Sequence, residues 1–454
     1  MDLKNKRVLV VGLGKSGVAS ALFLKSRGAR VTVSDAKPEA ELRDEILLLL
    51  EQGITVETGG HGERTFRGQD LIVVSPGVPV DAPQLAPARS MGEPVIAEIE
   101  LAAQFLTGHI VAITGTNGKT TTTSLAGEVI AAGNVETLVG GNIGTPAIRF
   151  VDKAGPATWI VLEVSSFQLE TIVEFRPRIA VILNITPDHL DRHKTFANYV
   201  NAKARIFENQ RADDFTVLNA DDPTTSGLSD RTRAQLFWFS RKEEIERGAF
   251  VRGSNICFRD GVAEREIMPL SEVPLQGPHN LENVLAGVAI GVLAGGQPEQ
   301  IRHAVGSFKA VEHRLEFVAK VAGVDYYNDS KATNVDATIK ALESFPANIH
   351  LILGGKDKGS DYTVLHELLR QRVKRVYTIG AAAEKIESQI QGTAEIDRAE
   401  TLENAVRRAG QSAVTGDIVL LAPACASFDQ FQSYEHRGRV FKEVVHSLAM
   451  ARTR

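Results

Sequence analysis

Short apolar runs recur along this chain, and each is closed by turn residues before apolar positions resume at helical spacing. The run at 7–11 leads into Gly12-Leu13-Gly14-Lys15-Ser16-Gly17 and then a helical pattern over 18–24. The run at 30–34 ends at Asp35, and the run at 70–74 closes in Ser75-Pro76-Gly77-Val78-Pro79. Strand patterns follow at 110–114, 159–163 and 179–184 in a second segment that opens near Glu98. A third segment opens near Val311, with strand patterns at 324–328, 350–353, 375–379 and 417–421. Strand, turn and helix in this alternation predict an α/β protein with mostly parallel sheets, in three domains at 1–97, 98–310 and 311–454.

Composition narrows the classes. A chain of 454 residues accommodates about two to four domains. Its 43% hydrophobic and 24% charged content is that of a globular protein with ample core. A net charge of −5 argues against a general nucleic-acid or membrane-surface binder. Cys257 and Cys425 are the only cysteines, too few for a disulfide framework or a cysteine zinc site. Lys4, Lys6 and Arg7 lead straight into a strand pattern, and no apolar run is long enough to span a bilayer. A cytoplasmic monomer with no nucleic-acid or membrane partner is expected.

Chemistry concentrates at the ends of the predicted strands. Thr114-Gly115-Thr116-Asn117-Gly118-Lys119-Thr120-Thr121 follows the run at 110–113 and precedes a helical pattern expected to start near Ser124. Backbone N–H groups in such a loop face phosphates, the lysine reaches the terminal phosphates, and the Thr hydroxyl suits Mg²⁺. The spacing is shorter than the general Walker pattern. Glu163 ends an apolar strand and is placed to ligand Mg²⁺ as a Walker-B-like acid. His189 follows another strand end, where it could position a phosphate, a carboxylate or a metal-bound water.

Lys203 is the unusual residue. On a helix predicted over 196–207 it falls on the apolar face with Phe196, Val200 and Phe207. Periodicity favours a lysine that snorkels outward. Burial instead would lower its pKa and leave a free amine, able to take up CO₂ as a carbamate and so become an oxygen ligand for Mg²⁺.

In this order, Thr-Gly-Thr-Asn-Gly-Lys-Thr (114–120), Glu-Val-Ser-Ser-Phe-Gln-Leu-Glu (163–170), Asn-Ile-Thr-Pro-Asp-His-Leu-Asp (184–191), Asn-Ala-Lys-Ala-Arg-Ile-Phe (201–207), Gly-Pro-His-Asn-Leu-Glu-Asn (277–283) and Glu-His-Arg-Leu-Glu (312–316) closely resemble the motifs of the Mur ligases of peptidoglycan synthesis. The resemblance covers nearly the whole chain. Asn328-Asp329-Ser330-Lys331-Ala332-Thr333-Asn334 and the stretch 422–431 are similar to the D-glutamate-adding branch, with Phe428 and Tyr434 standing where some relatives carry Leu and Phe.

The resemblance implies a Rossmann-like N-terminal domain for a UDP-sugar, a central P-loop ATPase-like domain, and a Rossmann-like C-terminal domain for the amino acid. It implies an ATP-dependent ligase that activates the L-alanyl carboxylate of UDP-N-acetylmuramoyl-L-alanine as an acyl phosphate and adds D-glutamate, in a pathway serving cell shape and division. On this reading Gly115 to Thr121 hold ATP together with Asn280, Asn283, Arg314 and Asp329. Lys119, Glu163, His189 and Lys203 are catalytic. Thr120 and Glu163 serve one Mg²⁺, and His189 with a carbamylated Lys203 serves a second, which reverses the periodicity reading of Lys203. Gly14, Ser16, Asp35, Ser75, Gly77, Asn142 and His189 bind the UDP-sugar, and Thr333, Lys358, Ser427 and Phe428 bind D-glutamate. Gly354-Gly355-Lys356-Asp357-Lys358-Gly359 offers two lysines for one role. Closure of the third domain before chemistry is expected.

Three other readings compete. A nicotinamide oxidoreductase explains Gly12 to Asp35 but leaves the phosphate loop idle. A folylpolyglutamate synthase is disfavoured by the stretch 330–333. A non-catalytic descendant has no need of Lys119, Glu163, His189 and Lys203 together.

Overall fold

The computed structural model describes residues 1–275, 277–309 and 311–452, and its strands form three sheets. The expected domain limit at residue 310 lies outside the described residues. The chain divides into two compact units, one of Met1–Glu272 with Glu282–Ser307, the other of Val273–Leu281 with Phe308–Arg454.

The first unit contains two sheets. One comprises β1 (Arg7–Val11), β2 (Arg30–Ser34), β3 (Thr55–Glu57), β4 (Leu71–Val74) and β5 (Val95–Ala97), parallel throughout in the order β3-β2-β1-β4-β5. Val8, Val10, Val33 and Val73 bury one face, and Leu9, Val11, Ile72 and Val74 the other. Burial on both faces is why these strands are continuous apolar runs. Helix α1 (Lys15–Ser26) follows β1, and Gly17 lies in its first turn: a Cβ there would sit 1.8 Å from the Gly12 carbonyl oxygen, so only glycine permits the approach.

The other sheet of this unit holds β6 (His109–Thr114), β7 (Thr137–Gly141), β8 (Trp159–Glu163), β9 (Ile179–Ile182), β10 (Phe215–Asn219), β11 (Gln235–Ser240), β12 (Arg247–Arg252), β13 (Asn255–Asp260) and β14 (Glu264–Pro269). Their order is β14-β13-β12-β11-β10-β9-β6-β8-β7, parallel except for the antiparallel β12–β13–β14 end. Helix α2 (Lys119–Ala131) begins at the loop lysine itself, not near Ser124, because Gly118 at φ 85° turns the chain directly into it. The helix expected over 196–207 is α3 (Phe196–Ala204) followed by a 3-10 turn at Arg205–Phe207. Thr195 caps α3, its side chain accepting from the Asn198 N–H.

The second unit carries β15 (Glu316–Val321), β16 (Val324–Asn328), β17 (Ile349–Gly354), β18 (Val373–Ile379), β19 (Glu395–Glu400) and β20 (Ile418–Leu421), ordered β15-β16-β20-β17-β18-β19. Among the described strands of this sheet β15 alone pairs antiparallel. Helix α4 (Pro278–Leu293) begins in the Gly-Pro-His-Asn motif, and α5 (Tyr434–Arg452) ends the described chain. Among the described residues no helix is long and apolar enough to cross a membrane.

Two buried acids tie the short helix Glu98–Ala103 into the first unit. Glu100 accepts from the N–H groups of Val173 (2.9 Å), Glu174 (3.0 Å) and Phe175 (2.9 Å). Glu98 accepts from Ile148 N–H (2.7 Å) through one oxygen, while the other has no partner. Burial pushes the Glu98 carboxyl up to about 7, against the Ile148 bond, which pulls it down. The folded state therefore holds this proton at pH values where the unfolded chain has lost it. The stabilisation is fully present below about pH 4.5 and is lost as pH rises through about 7. Glu98→Gln keeps the acceptor and removes the titration. It is expected to flatten the fall in Tm between about pH 5 and 8, and an unchanged slope in thermal melts would assign that fall to other groups.

Candidate active site

The loop after β6 is held from three sides. Thr116 N–H donates to the Asn184 carbonyl (2.9 Å), and Asn117 N–H donates to Asn184 Oδ1 (2.9 Å). Asn184 Nδ2 donates back to the Asn117 carbonyl (3.1 Å). The expected strand 179–184 stops at Ile182, and this exchange is the reason, since Asn184 pairs with the loop instead of extending the ladder. Thr116 Oγ1 donates to the Thr186 carbonyl (3.1 Å) and lies 3.2 Å from the Tyr199 hydroxyl of α3. A Cβ on Gly118 would fall 2.2 Å from Asn283 Oδ1, which accepts from the Thr122 hydroxyl at 3.2 Å. Asn283 thus abuts the loop. Thr121 is buried beside Thr120 in the first turn of α2.

Thr120 Oγ1 donates to Glu163 Oε2 (2.8 Å), and Asn142 Nδ2 donates to Glu163 Oε1 (2.9 Å). The structure therefore joins the loop threonine, the acid ending β8 and the asparagine after β7. A hydroxyl and a carboxylate are hard oxygen donors of the kind Mg²⁺ takes.

Lys203 does not snorkel. It is 2% exposed, its Nζ donates to the Gly115 carbonyl (2.7 Å) and lies 4.6 Å from the centre of the Tyr199 ring. Lys119 Nζ donates to the same carbonyl (2.8 Å) and to that of Thr116 (2.8 Å). Burial first, then the Lys119 charge, hold the Lys203 ammonium well below its ordinary range, with Asp188 and Glu163 opposing. Outward escape fails because α3 lies with this face against the loop, where Ala202 and Ala204 are also buried.

His189 occupies a left-handed position at φ 53°, its N–H donating to Asp188 Oδ1 (2.8 Å). Phe167 meets it edge-on at 5.0 Å and stacks on His193 at 5.4 Å. His193, which sequence reasoning left without a role, lies 3.0 Å from Ser166 Oγ and 3.3 Å from Glu170. Arg192 bonds Glu170 (2.9 Å) and the Val78 carbonyl (3.1 Å), joining this cluster to the turn after β4.

At the first sheet the strand order reverses between β1 and β4, and the loops after these two strands adjoin: Ser75 Oγ donates to the Gly12 carbonyl (3.0 Å). Gly14 and Gly77 are exposed with open space where a Cβ would be, and Ser16 is half-buried in the first turn of α1. Asp35 accepts from the N–H groups of Leu13 (2.6 Å) and Lys37 (2.8 Å), so this acid shapes the glycine loop.

In the second unit Asp329, Thr333, Lys358, Ser427 and Phe428 lie in the loops at the carboxyl ends of β16, β17 and β20. Asp329 follows β16, and burial pushes it up to about 6, opposed by the Arg314 charge and the Leu315 N–H. Asn280 is buried in the first turn of α4. Thr333 is half-buried after Asp329, while Lys356 and Lys358 are both exposed after β17. Ser427 is buried and Phe428 exposed after β20. Cys425 is buried, 3.0 Å from the Tyr362 hydroxyl. Arg437, for which the sequence gives no signal, is fully buried among these loops.

Comparison with known proteins matches this organisation. Family models cover residues 6–97 (Mur ligase MurD-like, N-terminal domain), 113–291 (Mur ligase middle domain) and 313–425 (Mur ligase, glutamate ligase domain). The chain is 68% identical over 449 residues to the UDP-N-acetylmuramoylalanine–D-glutamate ligase of Koribacter versatilis, covering 99% of each. It is 60% identical over 447 residues to that of Acidobacterium capsulatum, covering 98% of this chain and 97% of the relative. Its fold is similar to that of the MurF ligase of Thermotoga maritima solved with ADP, at a TM-score of 0.63, 16% identity and 100% coverage of both chains. Matched in consecutive stretches along nearly all of its length, the chain belongs to the Mur ligase family.

Proposed function

We propose that this protein joins D-glutamate to the L-alanyl carboxylate of UDP-N-acetylmuramoyl-L-alanine at the expense of ATP, releasing ADP and phosphate. The arrangement that carries the reading is the pair of lysines on one loop carbonyl, Lys119 and Lys203 on Gly115, beside the Thr120–Glu163 bond. The names of the relatives at 68% and 60% identity supply the acyl donor and the amine acceptor of the amide.

The carboxylate oxygen of the sugar substrate attacks the γ-phosphorus, and the bond to the ADP oxygen breaks. The D-glutamate amine then attacks the acyl carbon, loses a proton, and expels phosphate. Both steps bring anions together, so fixed positive charge has to bridge them. Lys119 and the loop N–H groups hold the β- and γ-phosphates. Thr120 and Glu163 would hold one Mg²⁺, and His189 with a carbamylated Lys203 a second. Bound Mg²⁺ there supplies Lewis-acid neutralisation of the converging charges. Lys203 suits that role because its ammonium is disfavoured. The neutral amine adds to CO₂, forming an N–C bond while one C=O electron pair moves to oxygen, and a proton leaves to solvent. Asn280, Asn283, Arg314 and Asp329 surround ATP. Gly14, Ser16, Asp35, Ser75, Gly77 and Asn142 bind the UDP-sugar, and Thr333, Lys358, Ser427 and Phe428 the amino acid. The protein acts as a monomer in the cytoplasm.

Two measurements test this. Phosphate release with ATP, Mg²⁺ and UDP-N-acetylmuramoyl-L-alanine is expected with D-glutamate alone among D- and L-amino acids and glycine, with a product heavier by one glutamyl residue. Release with another amino acid instead would reassign the acceptor, and silence across the panel in folded protein would overturn the activity. For Lys203, stripping dissolved CO₂ is expected to lower activity reversibly, and Lys203→Arg to lower kcat by about 10²-fold or more with no response to CO₂. Equal response of both proteins to CO₂ would remove the carbamate.

A further inference from the structure

Three loops on the carboxyl edge of the third sheet meet at one side chain. Arg437 on α5 is fully buried, and Nε donates to Ser330 Oγ (3.0 Å) in the loop after β16. Nη2 donates to the carbonyls of Ser330 (2.8 Å) and Cys425 (3.2 Å), and Nη1 to those of Cys425 (3.2 Å) and Ala426 (3.4 Å) in the loop after β20. A Cβ on Gly355, in the loop after β17, would lie 3.2 Å from Nη1 and 2.3 Å from the Ala426 carbonyl oxygen. That glycine, at φ 136°, lets the third loop reach the same guanidinium.

The guanidinium is not neutralised. Among the described residues no carboxylate lies within ion-pair distance of it, and Asp429, which acts on it from farther off, bonds the Ala381 N–H at 2.9 Å. Taking a cation out of water without a counter-charge is costly, and carbonyl dipoles offset only part of that cost. Burial draws Arg437 down to about 10, so it remains a cation at neutral pH. Each of the three loops, the two it binds and the one packed against it, carries a group assigned to the amino acid. Thr333 follows Ser330, Lys358 follows Gly355, and Ser427 follows Ala426.

We propose that Arg437 is the positioning residue of the acceptor site, tying the loops after β16 and β20 together against the loop after β17 and leaving beneath them a net positive charge that selects an acidic amino acid. This rests on the reading of D-glutamate as acceptor. A residue that only tied the fold together would need the hydrogen bonds but not the unpaired charge.

The test is steady-state kinetics on the full-length enzyme with D-glutamate and with D-glutamine, its neutral near-isostere. Arg437→Met is expected to raise KM for D-glutamate about tenfold or more while KM for ATP and for the UDP-sugar changes by less than about twofold. The kcat/KM ratio of D-glutamate to D-glutamine is expected to fall in Arg437→Met and to be largely kept in Arg437→Lys, which retains charge but not the planar fork. Should Arg437→Met fail to fold, Arg437→Lys and Ser330→Ala carry the test, each expected to raise KM for D-glutamate selectively. A parallel rise in all three KM values, or loss of Tm with unchanged kinetics, would overturn the proposal. Wild-type enzyme that ignores D-glutamate would instead defeat the functional reading, so the two failures are separable.

Discussion

An ammonium group buried beneath a phosphate loop must either find an anion or give up its proton, and the first unit is built around that constraint. Lys203 donates to the Gly115 carbonyl and faces the Tyr199 ring, with Asp188 and Glu163 acting on it from farther off, and Lys119 competes for the same carbonyl. Like charges converging on one oxygen in a poorly solvated place favour the neutral form of the more buried partner. The surrounding contacts keep Lys203 there. Tyr199, one helical turn before it, contacts Thr116 of the loop, and Thr195 fixes the start of α3. Loop and helix are therefore one assembly, and the exchange between Asn184 and Asn117 adds the segment after β9 to it.

The same topological device serves all three sheets. In each, the loops that matter leave the carboxyl ends of strands adjacent in the sheet: β1 and β4, then β8, β6 and β9, then β16, β20 and β17. Parallel strands bring successive loops to one edge, and neighbours in the sheet deliver residues far apart in sequence. Thr120 and Glu163 meet because β6 pairs with β8. Ser330, Gly355 and Cys425 meet at Arg437 because β20 lies between β16 and β17.

This explains what the sequence discloses and what it withholds. β1, β2, β8 and β16 are legible to the residue; in β1 and β8, buried on both faces, the reason is an unbroken apolar run between turns. The phosphate loop is legible because its chemistry is local, and the pairing of Thr120 with Glu163 follows once both are placed at strand ends. The edge strands β15 and β19 are hidden, because Glu-Phe-Val-Ala-Lys-Val and Glu-Ile-Asp-Arg-Ala-Glu carry the polar residues of half-solvated edges. Periodicity put Lys203 on the correct helical face and then misjudged its fate, for want of knowing that a loop carbonyl waits there. Arg437 is invisible for the same reason: in Ser-Tyr-Glu-His-Arg-Gly-Arg it reads as a solvated charge, and the carbonyls that hold it come from residues distant in the chain.

Lys203 and Arg437 also show how burial acts differently on two cations. Each is almost wholly removed from water, and each is held by carbonyl oxygens rather than carboxylates. For Lys203, burial and the Lys119 charge disfavour the ammonium, and an amine is an acceptable neutral state. An arginine has no comparable escape, since its guanidinium keeps its proton even when burial draws it down to about 10. Its charge persists as a fixed field. Desolvation thus disfavours the charged form of one side chain and leaves the other a permanent cation. Exchanging the two residue types would lose both: an arginine at position 203 would keep its charge, and a lysine at position 437 would lack the fork that spans Ser330 and Cys425.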